Sequence, residues 1–121
     1  MKLDPADTVF SQYIRLRDGM CVRGGSLVRY NEQGLPITHQ NSHYFVRGKE
    51  ATRYDPENCD TLCDDCHKRW EGPERKKYKQ FKIKQLGVKR FQDLELRSNS
   101  YYKKNRKDSL LEARRLLKSI K

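Results

Sequence analysis

No stretch of the 121-residue sequence approaches the roughly 18 to 20 apolar residues of a membrane-spanning helix. The opening Met1, Lys2, Leu3, Asp4 and Pro5 lack the apolar centre of a secretory signal. A soluble, cytoplasmic chain with no membrane partner is therefore expected. Apolar residues are scarce, at 35%. A chain this short and polar buries only a modest core, which excludes a large cofactor cleft and leaves room for a metal clip or a partner to help hold the fold. Cysteine is limited to Cys21, Cys59, Cys63 and Cys66. Without a secretory signal these do not read as a disulfide set, and no βαβ pattern surrounds Cys63 and Cys66 to make them a thioredoxin-like redox pair. No internal repeat is visible, so solenoid architectures are excluded as well.

Acidic charge runs short in one half only. Residues 1–67 hold 8 Lys/Arg against 10 Asp/Glu, whereas 68–121 hold 19 against 6. The whole excess, part of a formal net charge of +11, lies downstream of Cys66 and His67. A polyanion is the natural partner of such a half, because each cation that neutralises a phosphate releases condensed counterions. The plainer reading is a solvated, lysine-rich helical surface.

What is present is a sequence of clear punctuation. Asp4 and Pro5 open a helix that Gly19 closes, with Val9, Phe10, Tyr13, Ile14 and Leu16 on one apolar face. From Met20 to Phe45 short β-like runs, Ser26 to Tyr30 and Leu35 to His39, flank the polar turn Asn31 to Gly34 and outline a hairpin. Val46 to Asn58 reads as a loop, and Asp64 to Trp70 as a short helix ended by Gly72 and Pro73. Glu74 to Leu86, Val88 to about Arg97, and a last segment capped by Asp108 or Ser109 read as helices, the last with Leu110, Leu111, Leu116, Leu117 and Ile120 as its apolar side. That leucine stripe is a core or dimer contact. Ser98 to Arg106 reads as a basic linker carrying Tyr101 and Tyr102.

The residues that carry chemistry form an ordered series: Cys21 and Gly24, Ser42 and His43, Asn58, then Cys63, Cys66 and His67. The Cys-x-x-Cys of Cys63 and Cys66 reads as a metal knuckle. A treble-clef finger sets one such knuckle at a hairpin and another at a helix start, so that four soft ligands close a tetrahedral zinc site. Here the second knuckle is intact and the first is not.

With these motifs the chain resembles the HNH (His-Me finger) endonucleases, and among them phage endonuclease VII and the NinG-type recombination proteins. The likeness runs over roughly residues 7–70. It comprises Phe10 to Gly19 leading into Cys21, His43 with Tyr44 and Arg47, Arg53 with Tyr54, Asn58, and the Cys63–Cys66 knuckle. The resemblance implies an α+β fold: a treble-clef ββα-metal finger with an N-terminal helix over residues 1–72, and basic C-terminal helices over 73–121 packed on or next to it. It also implies a metal-dependent DNA endonuclease acting in phage recombination or DNA processing inside a bacterial host. His43 matches the family's general base, since a neutral imidazole can take a proton from an attacking water near pH 7. His67 matches the ligand of a catalytic Mg²⁺ or Mn²⁺, which would offset charge on the phosphate and the leaving 3′ oxygen. Asn58 matches the middle asparagine, either orienting His43 through its side-chain carbonyl or bracing the loop. Arg47 and Arg53 suit phosphate clamping, with Lys76, Lys77, Lys79, Lys103 and Lys104 extending the DNA-binding surface. Trp70 reads as core, while Tyr101 and Tyr102 could stack on exposed bases.

Two positions depart from the family. Gly24 stands where the first knuckle has its second cysteine, leaving Cys21, Cys63 and Cys66 as matched Zn²⁺ ligands. Cys59 or His39 could supply the fourth, although Cys59 also reads as a buried free thiol; otherwise water completes a weakened site, or the helices hold the finger without zinc. Ser42 stands where an aspartate often binds the catalytic ion, a place where NinG-type members carry glycine. These departures keep a rival in view: a non-catalytic DNA-binding protein that retains a degenerate finger. A third reading is an adaptor whose leucine-faced last helix binds a protein, and the downstream positive charge argues against it. The expected partner is DNA, branched if the endonuclease VII likeness extends to substrate, and symmetric resolution of a four-way junction would call for a homodimer.

Overall fold

The structure, a computed structural model, describes residues 3–120. It is an α+β fold of five helices around one two-stranded antiparallel sheet. Helix α1 (Pro5–Asp18) begins as expected: Asp4 Oδ1 accepts the Ala6 N–H at 2.8 Å, and the Asp7 carboxylate returns to the Asp4 N–H at 2.9 Å. Gly19, left-handed at φ 68°, ends it. Ala6, Phe10 and Ile14, spaced four apart, turn inward together with the charged Asp7.

The hairpin expected over Ser26 to Tyr30 and Leu35 to His39 exists only as single bridges, Met20 to Leu27 and Tyr30 to Pro36, with the turn held by Asn31 Oδ1 on the Gln33 and Leu35 N–H groups. The sheet lies elsewhere. Strand β1 (Gln40–His43) pairs with β2 (Cys59–Leu62) in a register that sets Ser42 opposite Asp60 and His43 opposite Cys59. Gln40, Asn41 and Ser42 are poor strand formers; their backbone is extended because β2, wholly buried, supplies the pairing edge. Between the strands, the expected loop carries two single-turn 3₁₀ helices, Glu50–Thr52 and Pro56–Asn58.

Helix α2 (Asp64–Glu71) starts at Cys63 and stops at Gly72. Helices α3 (Arg75–Leu86) and α4 (Val88–Ser98) meet at Gly87, and α5 (Arg106–Ile120) follows an exposed linker. Asn105 Oδ1 accepts the Asp108 N–H at 3.1 Å, so α5 opens earlier than the Asp108 or Ser109 cap expected. No helix among the described residues is long and apolar enough to cross a membrane.

The basic helices are built into the core. Tyr78 and Phe91 pack with Cys21, Tyr44, Leu62, Cys66 and Trp70, and Trp70 stacks on Tyr78 at 4.6 Å. A second cluster joins Phe10 and Ile14 of α1 to Cys59 and to Ala113 of α5. The face of α5 that turns inward is centred on Ser109 and Ala113, with Leu110, Leu116 and Leu117 of the expected stripe half-buried beside it and Leu111 and Ile120 exposed.

Two ion pairs are buried in this small core. Arg53, 2% exposed, donates from Nε to Asp7 Oδ1 at 2.9 Å, pairs through Nη2 with Asp7 Oδ2, and reaches Glu50. It is thus no phosphate clamp, as its motif had implied, because its guanidinium is spent inside the fold. Lys82 and Asp60, both fully buried, pair at 3.1 Å, and Gln85 and Tyr78 bring further hydrogen bonds to the carboxylate. Removing one member of a buried pair strands the other charge. Arg53→Ala should therefore lose about 3–5 kcal/mol of stability, read as a lower urea midpoint, and Asp7→Leu with Arg53→Met should recover much of it. A loss below about 1 kcal/mol for Arg53→Ala would show that the pair is solvated rather than buried.

Candidate metal centre and histidine cleft

Cys21 follows the end of α1, while Cys63 caps α2 and Cys66 lies in its first turn. Their sulfurs lie within 4.8 Å of one another, close enough to hold a metal such as zinc. Backbone N–H groups point at two of them: Gly24 N–H to Cys21 Sγ at 3.3 Å and Cys66 N–H to Cys63 Sγ at 3.4 Å. The Arg23 guanidinium lies 3.3 Å from Cys66 Sγ and is anchored to Glu74 at 3.0 Å. Burial works against a Cys21 thiolate, but the N–H groups of Gly24, Cys63 and Arg23 outweigh it and hold that thiol below its ordinary value. Burial and the adjoining thiols push Cys66 up to about 11. A metal bound by the trio would displace the thiol protons, more easily at Cys21 than at Cys66.

Neither candidate for a fourth ligand joins them. Cys59 is sealed in β2 against Phe10, Ile14 and Ala113, with burial pushing its thiol well up, and is a free core thiol. His39, held at φ 69°, braces the 20–39 segment through Ser26 Oγ at 2.9 Å and Thr38 Oγ1 at 2.8 Å. Position 24 itself faces the sulfurs: a Cβ there would lie 3.3 Å from Cys66 Sγ and 3.9 Å from Cys21 Sγ. The second cysteine of the first knuckle would complete the set at this point.

Next to α2, a cleft of about 350 Å³ is lined by Asn41, His43, Val46, Arg47, His67 and Glu71. His43 Nε2 lies 3.0 Å from the Arg53 carbonyl. A carbonyl only accepts, so Nε2 carries the proton and Nδ1 keeps the ring's lone pair. Burial, aided by the charges of Arg47 and Arg53, holds the His43 imidazole below its ordinary value and therefore neutral. His67 Nε2 meets the Glu71 carboxylate at 2.8 Å, one helical turn on, and this contact keeps Glu71 below the usual carboxylate range. Asn41 Oδ1 is buried without a hydrogen-bond partner. An adjoining hollow of about 220 Å³ runs past His43 and Glu71 to Arg75, whose guanidinium lies over the Tyr44 ring at 4.0 Å.

Asn58 takes no part in this cleft. Fully buried, it accepts the Phe45 N–H at 2.8 Å and donates to the Phe45 and Thr52 carbonyls, so it braces the loop while the Arg53 carbonyl orients His43. Lys76, Lys77 and Lys79 lie exposed along α3, and Lys103 and Lys104 in the linker with Tyr101 and Tyr102. Three cleft residues escaped the motif reading, although two were legible in spacing. Glu71 is four residues beyond His67 on one helix face, and Asn41, two before His43, shares its strand face. Arg75, on the next helix, gave no local signal.

No family model matches the chain, nor does any curated protein or solved structure.

Ser42 points away from His43, into the core, where Tyr78 Oη lies 3.2 Å from Ser42 Oγ and 3.0 Å from Asp60 Oδ2. An aspartate there would set a second carboxylate beside buried Asp60 rather than reach the cleft. Ser42→Asp should thus lower the melting temperature and leave metal binding in the cleft no stronger. A stable variant with tighter Mn²⁺ binding by calorimetry would contradict this placement.

Proposed function

We propose that this chain is a metal-dependent DNA endonuclease of the HNH type, carried on a degenerate treble-clef finger. The observation that supports it most is the meeting, in one open cleft, of a neutral His43 with a fixed tautomer and the His67–Glu71 pair. His43 Nδ1 takes the proton from a water attacking the phosphodiester. His67, Glu71 and the unpartnered Asn41 Oδ1 form a mixed nitrogen and oxygen donor set fitted to a divalent ion. These residues would hold Mg²⁺ or Mn²⁺, which would supply positive charge against the phosphate and the leaving 3′ oxygen. Glu71 thus provides the carboxylate that Ser42 does not. Arg47 and Arg75 flank the same hollows and suit the phosphate, and Lys76, Lys77 and Lys79 carry the duplex onward along α3. Cys21, Cys63 and Cys66 would hold Zn²⁺ beside the start of α2, where it would brace the first turn that carries His67. Branched DNA and a homodimer belong to this reading through the endonuclease VII likeness alone.

The second reading, a DNA-binding finger without chemistry, draws on Gly24 and on Ser42, which faces the core. Supercoiled plasmid separates the two. The parent protein should nick or linearise it with Mg²⁺ or Mn²⁺ and stop with EDTA, while His43→Ala and Glu71→Gln should each lose about 100-fold or more in rate. Salt-dependent DNA binding with no cleavage by any form would instead establish the second reading.

The lowered His43 value sets the pH profile. The base works only when neutral, and a value below the ordinary 6.5 extends the neutral form downward. Cleavage measured against pH should hold through 6.5 and fall only at lower pH; a decline already centred above 6.5 would remove His43 from the base role.

A further inference from the structure

The three-cysteine centre differs from a closed zinc knuckle at a single corner, and the surroundings of that corner are specific. Inward, Cys21 and Cys66 pack with Tyr44, Trp70, Tyr78 and Phe91, so no donor can arrive from the core side. Outward, Gly24 and Gly25 are exposed. The backbone at Gly24 is not left-handed, so nothing in its conformation demands glycine. Cys21 and Cys66 are buried and Cys63 is half-buried, and exposed Gly24 puts no side chain at the point where a Cβ would lie 3.3 Å from Cys66 Sγ. Among the described residues no histidine, cysteine, aspartate or glutamate other than Cys21, Cys63 and Cys66 joins the group. Structural zinc sites close with four protein ligands, whereas sites that bind or transform something keep three and leave one position to an outside ligand.

We propose that the centre is a three-thiolate zinc site that takes its fourth ligand from solution on the Gly24 side, and that this ligand is a thiolate. The preference for sulfur follows from the donor set, because an ion already held by three soft thiolates accepts a fourth of the same kind. Arg23 sets a guanidinium 3.3 Å from Cys66 Sγ, already paired with Glu74 at 3.0 Å, so the choice of a thiolate rests on the donor set and not on spare positive charge. On binding, the incoming thiol gives its proton to solvent, its sulfur bonds to the metal, and a metal-bound water leaves. The inference rests on the zinc reading of the three cysteines and is independent of whether the histidine cleft cleaves DNA.

Cobalt(II) reports it directly, since sulfur-to-cobalt absorption scales with the number of thiolates bound. The full chain and its Gly24→Cys variant are loaded with Co²⁺ and titrated with 2-mercaptoethanol, with cobalt per chain measured after dialysis. The parent should begin at three-sulfur intensity and rise saturably by about a third, one sulfur added to three, while retaining its cobalt. Gly24→Cys should begin at the higher level, hold cobalt more tightly and ignore the thiol. A free thiol and a cysteine of another chain are told apart by gel filtration, which should show an unchanged monomer-to-dimer ratio as the absorption rises. A parent that is blind to the thiol, that starts at four-sulfur intensity, or that gives up its cobalt overturns the fourth-ligand proposal and leaves a metal-binding finger intact. Failure of both proteins to bind cobalt overturns the zinc reading itself.

Discussion

The Asp7–Arg53 ion pair is the point through which the rest of the molecule is referenced. Asp7 belongs to the first turn of α1, and Arg53 to the loop between the strands. Their forked contact fixes one against the other in a site that water barely reaches. Glu50 binds Arg53 and also Arg106 at the start of α5, so the same cluster seats the last helix. The backbone of Arg53 does a second job, because its carbonyl decides which nitrogen of His43 holds the proton. A residue that looked suited to grip a substrate instead sets the protonation geometry of the residue that would act on one.

The Asp60–Lys82 pair makes a parallel arrangement behind the sheet. With Tyr78, Ser42 and Gln85 it gives the short sheet a hydrogen-bonded polar backing where a larger protein would use aliphatic layers. Buried ion pairs are poor sources of net stability but costly to misplace. Here they occupy the two seams, α1 against the loop and β2 against α3, where a one-residue slip would leave charge unmatched. In a chain with 35% apolar residues, such pairs define the arrangement that a thin hydrophobic core leaves loosely specified.

Helices were legible wherever their ends are written locally. Asp4, Pro5 and Gly19 bound α1, Gly72 ends α2, and Gly87 separates α3 from α4. The cluster of three cysteines was equally legible, because Cys63 and Cys66 share a Cys-x-x-Cys spacing and Cys21 follows a capped helix. What the sequence hid depends on distant partners. Gln40 to His43 lacks strand-forming residues and becomes a strand only by pairing with residues near position 60. The ionic role of Arg53 requires a carboxylate 46 positions away. The inward face of α5 was only partly legible: the leucines mark it, since Leu110, Leu116 and Leu117 are half-buried, but its buried centre is Ser109 and Ala113.

Because Ala113 and Leu116 cover Phe10 and Ile14, the first helix of the chain is completed by the last. About a hundred residues separate the two, which at ribosomal speed is on the order of 5 to 20 seconds of synthesis. Throughout that interval the part of the α1 face that Ala113 and Leu116 cover lacks them, with Cys59 and Tyr54 available to pack on Phe10 and Ile14. The histidine cleft is tied to the same seam, since its framework runs through Asp7 at the start of α1, and the three clustered cysteines all precede α5 in the chain.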